Sequence, residues 1–268
     1  MALRARRLVW LAAAASGVLP CALRAQQAGS APEAVWNLDT LRSGFCIHFL
    51  VDPRTATQRA FRGVATVPAA SAAALHPALK RVVEGSPDLA SWIPEQFCIL
   101  QFSSIRVGRS VLRDTKHGRS QVVGMWAISA PADALGSVVL LTNNSHLSST
   151  VRALGVPVDG MKTEFGKVPE STDDRYEIRY SGTTLTWDGH ASGDSSAAPV
   201  LDRSWAVSGR NGRVLRVTER LDAAGGRFLV GALRVEGKGE LARALIASPI
   251  RYVGPLLWGG SGSITFTP

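Results

Sequence analysis

From Phe97 onward the chain is a succession of short runs in which apolar residues recur at every second position, each closed by Gly, Pro, Asn or Asp. That period belongs to strands, whose side chains point alternately to opposite faces, and it restricts the fold more than any other feature. The runs are Phe97 to Val107, Gln121 to Ser129, Val138 to Thr142, Lys162 to Val168, Arg175 to Ser181, Thr183 to Asp188, Ser204 to Ser208, Arg213 to Leu221, Arg227 to Val235 and Ile264 to Thr267, with Phe45 to Val51 upstream. Phe97 to Val107 is apolar on both faces, as a centrally placed strand is. In Arg175 to Ser181, Tyr176, Ile178 and Tyr180 alternate with Glu177 and Arg179, a half-exposed strand. Gly209-Arg210-Asn211-Gly212 is a hairpin signal, because Asn-Gly tolerates the positive φ of tight turns.

Helix signals are few and short. Asp52 caps a helix that opens on Pro53 and ends near Gly63. A second starts around Leu75 and stops at Gly85, Asn144 or Ser145 caps a third over Leu147 to Leu154, and Glu240 to Ala247 is a fourth. They flank the strands instead of alternating with them, which argues against a doubly wound α/β fold. So many strands expose edges, and closure removes edges. The pattern predicts a mainly β chain, an antiparallel, closed or nearly closed β-barrel with a few short flanking helices. One barrel domain is expected over residues 45–268, behind a lead-in at 26–44, with loose segments at Gln26 to Pro32 and Gly189 to Pro199.

The N-terminus reads as an export signal. Arg4, Arg6 and Arg7 precede an apolar run from Leu8 to Leu19 and small residues to Ala25, which predicts a signal peptide over residues 1–25. Roughly twelve apolar residues are too few to span a bilayer, and no later run approaches that length, so the mature chain is expected to carry no transmembrane span. Loss of residues 1–25 takes the formal net charge from +9 to +5. The remaining arginines are scattered without aromatic interleaving, which speaks against nucleic acid as a partner. Cys21 leaves with the signal. Cys46 and Cys98 remain as an even pair inside two strand-like runs, expected to form a disulfide in an oxidising periplasmic or extracellular compartment.

Two glycine motifs yield no site. Gly237-Lys238-Gly239-Glu240-Leu241-Ala242 matches G-x-G-x-x-A, but no acidic residue follows Glu240 to hold a ribose, so no dinucleotide or other cofactor is expected. Gly259-Gly260-Ser261-Gly262-Ser263 approaches a nucleophile elbow, but the last histidine, His190, precedes it. The five histidines (His48, His76, His117, His146, His190) are too far apart for paired ligands, so no metal is expected. His48 beside Cys46 reads as a hydrogen-bonded, partly buried imidazole.

Lys162 is the candidate catalytic residue. It follows Gly160-Met161 after the third helix and begins a strand in which Lys162, Glu164 and Gly166 share a face. A desolvated amine there becomes a nucleophile able to form a Schiff base with a carbonyl substrate, and Glu164 on the same face is placed to move the proton. A solvated lysine at a strand end, with its glutamate as surface partner, is the opposing reading.

The order of Ile47-His48-Phe49-Leu50-Val51-Asp52-Pro53, Leu75-His76-Pro77-Ala78-Leu79, Phe102 to Gly108, and Arg152-Ala153-Leu154-Gly155-Val156-Pro157-Val158-Asp159-Gly160-Met161-Lys162 resembles the acetoacetate decarboxylase-like superfamily. The resemblance implies a cone-shaped antiparallel β-barrel and, in the decarboxylases, a Schiff-base lysine inside it. Active members read Gly-x-Pro-Lys-Lys. Here Met161 stands in the place of the proline and Thr163 in that of the second lysine, so only Lys162 carries over. The expectation is an exported barrel that binds a small apolar or carbonyl-containing molecule, with lyase activity on a keto acid through Lys162. The alternative is a non-catalytic, lipocalin-like binding or envelope-associated protein.

Overall fold

A computed structural model describes residues 34–59, 65–72, 75–113, 121–129, 135–154, 158–160, 162–165, 174–196, 200–208 and 214–267. The expected signal peptide, the loose segment at Gln26 to Pro32 and the turn at 209–212 lie outside them. In chain order the elements are β1 (Ala34–Val51), α1 (Pro53–Arg59), α2 (Pro77–Gly85), β2 (Ile93–Val107), β3 (Ser110–Leu112), β4 (Gln121–Ser129), β5 (Leu135–Thr142), α3 (Ser145–Ala153), β6 (Val158–Gly160), β7 (Lys162–Phe165), β8 (Asp174–Tyr180), β9 (Thr183–Ser196), β10 (Val200–Ser208), β11 (Val214–Asp222), β12 (Gly225–Gly237), α4 (Glu240–Ala247), β13 (Arg251–Val253), β14 (Leu256–Trp258) and β15 (Ser261–Thr267).

The strands form one curled, mainly antiparallel sheet. Its order runs β3-β2-β4-β5-β10-β11-β15-β1-β14-β12-β9-β8-β7, and β1 also pairs with β2. That extra pairing closes a circuit of β1, β2, β4, β5, β10, β11 and β15, in which the β5–β10 contact is parallel. Each of these strands sends side chains into one apolar cluster, among them Trp36, Phe102, Met125, Leu140, Trp205, Val217 and Phe266. Closure hides the strand edges that so many short strands expose.

β1 is shared between two layers. At its start it pairs with β15, from Ala34 opposite Phe266 to Leu38 opposite Gly262, and further on Gly44 faces Leu257 of β14. A register shift between Leu41 and Ser43 marks the change of partner. A bulge of this kind bends a strand and raises its twist. Beyond it, Phe45, Ile47, Phe49 and Val51 face a second cluster, closed from the other side by Tyr176, Ile178 and Tyr180 of β8, Leu185 and Trp187 of β9, and Leu241 and Leu245 of α4. The described residues therefore form an apolar ring interior and an apolar layer between the ring wall and the outer strands β8, β9 and β12 of the same sheet.

Two expectations change at the strand limits. The first strand begins at Ala34, within the expected lead-in, because Trp36 and Leu38 are buried in the ring. Residues 189–196 belong to β9 instead of a loose loop, since their backbone pairs with β12. Gly189 stands opposite Gly231, and a Cβ on Gly189 would strike the Val230 carbonyl. The glycine that reads as looseness in sequence permits close strand approach.

The caps follow the sequence. Asn144 Oδ1 accepts from the amides of His146 and Leu147 at the start of α3. Asp52 Oδ1 accepts from the Arg54 amide at 2.8 Å, and hydrogen bonds from the Arg54 side chain hold the Asp52 carboxyl down at about 2. The second helix begins at Pro77, two residues past Leu75, and His76 caps it, its Nδ1 accepting from Ala78 N–H at 3.2 Å. Cys46 and Cys98 sit directly opposite in the β1–β2 ladder with Cα atoms 4.1 Å apart, and form the expected disulfide. Among the described residues no helix is long and apolar enough to cross a membrane.

Candidate functional site

Among the described residues, a carboxylate is buried in the layer between the ring wall and the outer strands. Glu95 lies on β2 directly opposite Phe49 on one side and Ile128 on the other, and is 3% exposed. Trp126 sits on the neighbouring strand two residues from Ile128, the diagonal position that a large side chain spans. Its Nε1 donates to Glu95 Oε2 at 2.8 Å. Burying a carboxylate among apolar side chains is costly unless it is hydrogen-bonded, and the Trp126 N–H supplies one such bond.

The opposite wall of this layer also carries polar tips on apolar bodies. Tyr176, Tyr180 and Trp187 are buried, and Tyr176 meets Phe45 with ring centroids 6.0 Å apart. Trp187 Nε1 has no hydrogen-bond partner among the described residues. The layer thus combines apolar side chains with a fixed acceptor and one donor that has no partner among the described residues. Such a carboxylate can anchor a donor or relay a proton.

Lys162 and Glu164 both lie on β7, which pairs with β8. The register sets Lys162 opposite Arg179 and Glu164 opposite Glu177, while Thr163 and Phe165 stand opposite the buried Ile178 and Tyr176. Arg179 is exposed and its guanidinium is paired with the Glu177 carboxylate at 2.5 Å. The backbone therefore brings the two predicted residues to the strand at the rim of the outer strands, and the side chains of β7 lie outside the described residues.

A second buried carboxylate, Glu219 on β11, is 2% exposed between Val217 and Leu221 and belongs to the ring wall. The sequence reading missed both acids, although a signal was present. Glu219 has the same parity as Leu215, Val217 and Leu221, and Glu95 lies just ahead of a run apolar on both faces, so each occupies a position that alternation reserves for the core. Among the described residues no group of three or more His, Cys, Asp or Glu side chains is arranged to hold a metal ion.

No family model matches the sequence, and no curated protein matches it. Solved structures do. An acetoacetate decarboxylase superposes with a TM-score of 0.51 at 10% identity, covering 88% of each chain. The fold is acetoacetate decarboxylase-like. The enduracididine biosynthesis enzyme MppR, with HEPES bound, aligns at 11% identity over 88% of this chain and 86% of its own, TM-score 0.45. An acetoacetate decarboxylase-like enzyme from Sphingomonas wittichii RW1 aligns at 12% identity over 87% and 89%, TM-score 0.39. The first of these carries the assignment, and the other two add nothing to it. At such identities the likeness concerns the acetoacetate decarboxylase-like fold alone, and activity has to be argued from the residues of this chain.

Proposed function

We propose that the protein is exported and binds a small, largely apolar or carbonyl-containing molecule in the layer between its ring wall and its outer strands, with Glu95 and Trp126 as the polar anchor. The observation that carries this reading is the Glu95 carboxylate, buried in an apolar layer and held by an indole N–H. Export is supported by the Cys46–Cys98 disulfide, which persists in oxidising compartments, and by the basic-then-apolar N-terminus.

A second reading, a keto-acid lyase acting through Lys162, is favoured by one feature of the register. Arg179, its charge partly offset by the Glu177 carboxylate, stands directly across the ladder from Lys162, and a neighbouring cation favours the neutral, nucleophilic form of an amine. The amine would add to the substrate ketone and expel water to leave an iminium. The substrate carboxylate would depart as carbon dioxide, its electrons forming an enamine that takes a proton from Glu164. Hydrolysis would return the ketone product and the amine.

Borohydride trapping with a panel of keto acids, read by intact mass, separates the two. A covalent adduct lost in Lys162→Ala supports the lyase. Ligand binding by wild type and Lys162→Ala alike, with no adduct in either and weakening in Glu95→Gln, supports the carrier. Absence of adduct and of saturable binding in all variants removes both.

A further inference from the structure

The point where β1 changes partners opens a cleft outside the apolar layer. It has a volume of about 700 Å³ and is lined by Asp39, Thr40, Arg42, Ser103, Ser104, Arg113, Gly260 and Ser261. Its shape follows from irregular backbone on both sides of the seam. Thr40 has φ 38° and Gly260 φ 75°, and the last contacts between β1 and the start of β15 are Leu41 N–H to Gly260 O and Gly259 N–H to Leu41 O. Arg42 falls within the register shift between Leu41 and Ser43, so the bulge turns it out of the ladder. Arg113 follows β3, whose last residue Leu112 pairs with Ile105, and this hairpin delivers it to the same cleft.

The charges around the cleft do not balance. Asp39 is already engaged: its Oδ2 accepts from Ser104 Oγ at 2.6 Å and lies 3.8 Å from the Arg106 guanidinium. Ser103 Oγ donates to the Asp39 backbone carbonyl at 2.9 Å. Arg42 and Arg113 are exposed, and neither has an acidic partner among the described residues. With Arg106 offsetting Asp39, two guanidinium groups without an acidic partner among the described residues face one concavity of ligand size. Guanidinium forks match the geometry of phosphate and carboxylate oxygens.

We infer that this cleft is a binding site for a small dianionic molecule bearing an oxyanion head group, held by Arg42 and Arg113, and separate from the layer that contains Glu95. The hydroxyl of Ser261, at the start of β15, is a third available donor.

The test is isothermal titration of the full mature chain with inorganic phosphate, and in parallel with succinate, at fixed ionic strength set by sodium chloride. The expected result is saturable binding with a Kd of about 1 mM or tighter for at least one probe, weakened about tenfold or more in Arg42→Gln/Arg113→Gln and unchanged in Arg234→Gln, an exposed arginine on β12. Phosphate binding more tightly than succinate assigns a phosphate-bearing ligand, and the reverse order a dicarboxylate. Both substitutions are at exposed positions, and circular dichroism melts of the variants verify folding. Titrations that do not saturate, or equal affinity in wild type and the double variant, overturn the proposal.

Discussion

Breaking the Cys46–Cys98 bridge tests how much of the β1–β2 ladder depends on a covalent tie. The two cysteines are 52 residues apart in sequence and face each other within a ladder that runs from Trp36 opposite Val107 to Val51 opposite Ile93. Because the ladder itself holds the strands in register, the bridge acts mainly on the unfolded chain, whose loop it closes. The loop-closure relation for about fifty residues gives about 4 kcal/mol at 25 °C. For a chain of this size that corresponds to a fall in Tm of roughly 8–16 °C. Urea unfolding would be compared for oxidised protein, reduced protein and Cys46→Ala/Cys98→Ala; alanine is chosen because Cys98 is buried. The unfolding slope should also rise on reduction, since the unlinked chain exposes more surface. A loss below about 1 kcal/mol in both the reduced and the substituted protein, with an unchanged slope, would refute the argument from loop entropy.

Two further outcomes follow from the layer and the α2 lobe. Trp126→Phe removes the N–H that Glu95 Oε2 accepts while keeping an aromatic ring, and should cost about 1–3 kcal/mol in urea unfolding. Under the carrier reading it should also weaken ligand binding, and full stability and affinity in the variant would contradict the anchor role. Burial pushes the His76 imidazole below its ordinary value of 6.5, and its Nδ1 accepts from Ala78 N–H between the rings of His48 and Tyr252. The unfolded chain therefore takes up the His76 proton first. The contribution is fully present above about pH 6.5 and is lost as pH falls through the lower folded value. The difference in urea midpoint between wild type and His76→Ala should be largest above pH 6.5 and shrink on acidification; a constant difference from pH 5 to 8 would contradict it.

Local structure was legible where the chemistry is local. The four helices, the Asn144 and Asp52 caps and the alternation Tyr176, Ile178, Tyr180 appear in the structure much as periodicity and capping predict, because backbone sterics and neighbouring donors decide them. The pairing of Cys46 with Cys98 was legible too, as the remaining even pair. The buried acid in the layer was not legible, because a single acid before an apolar run looks like a strand end until the strands on either side of Glu95 are known.

By itself, then, the sequence determined a mainly β chain and its short flanking helices. Those properties rest on interactions between residues a few positions apart. Which strands meet was decided only in three dimensions: the double membership of β1, the glycine contact of β9 with β12, the burial of Glu95 beside Trp126, and the seam that gathers Arg42 and Arg113. Each joins segments far apart in the chain, and long-range pairing is selected by the summed burial of whole faces, which no local pattern encodes.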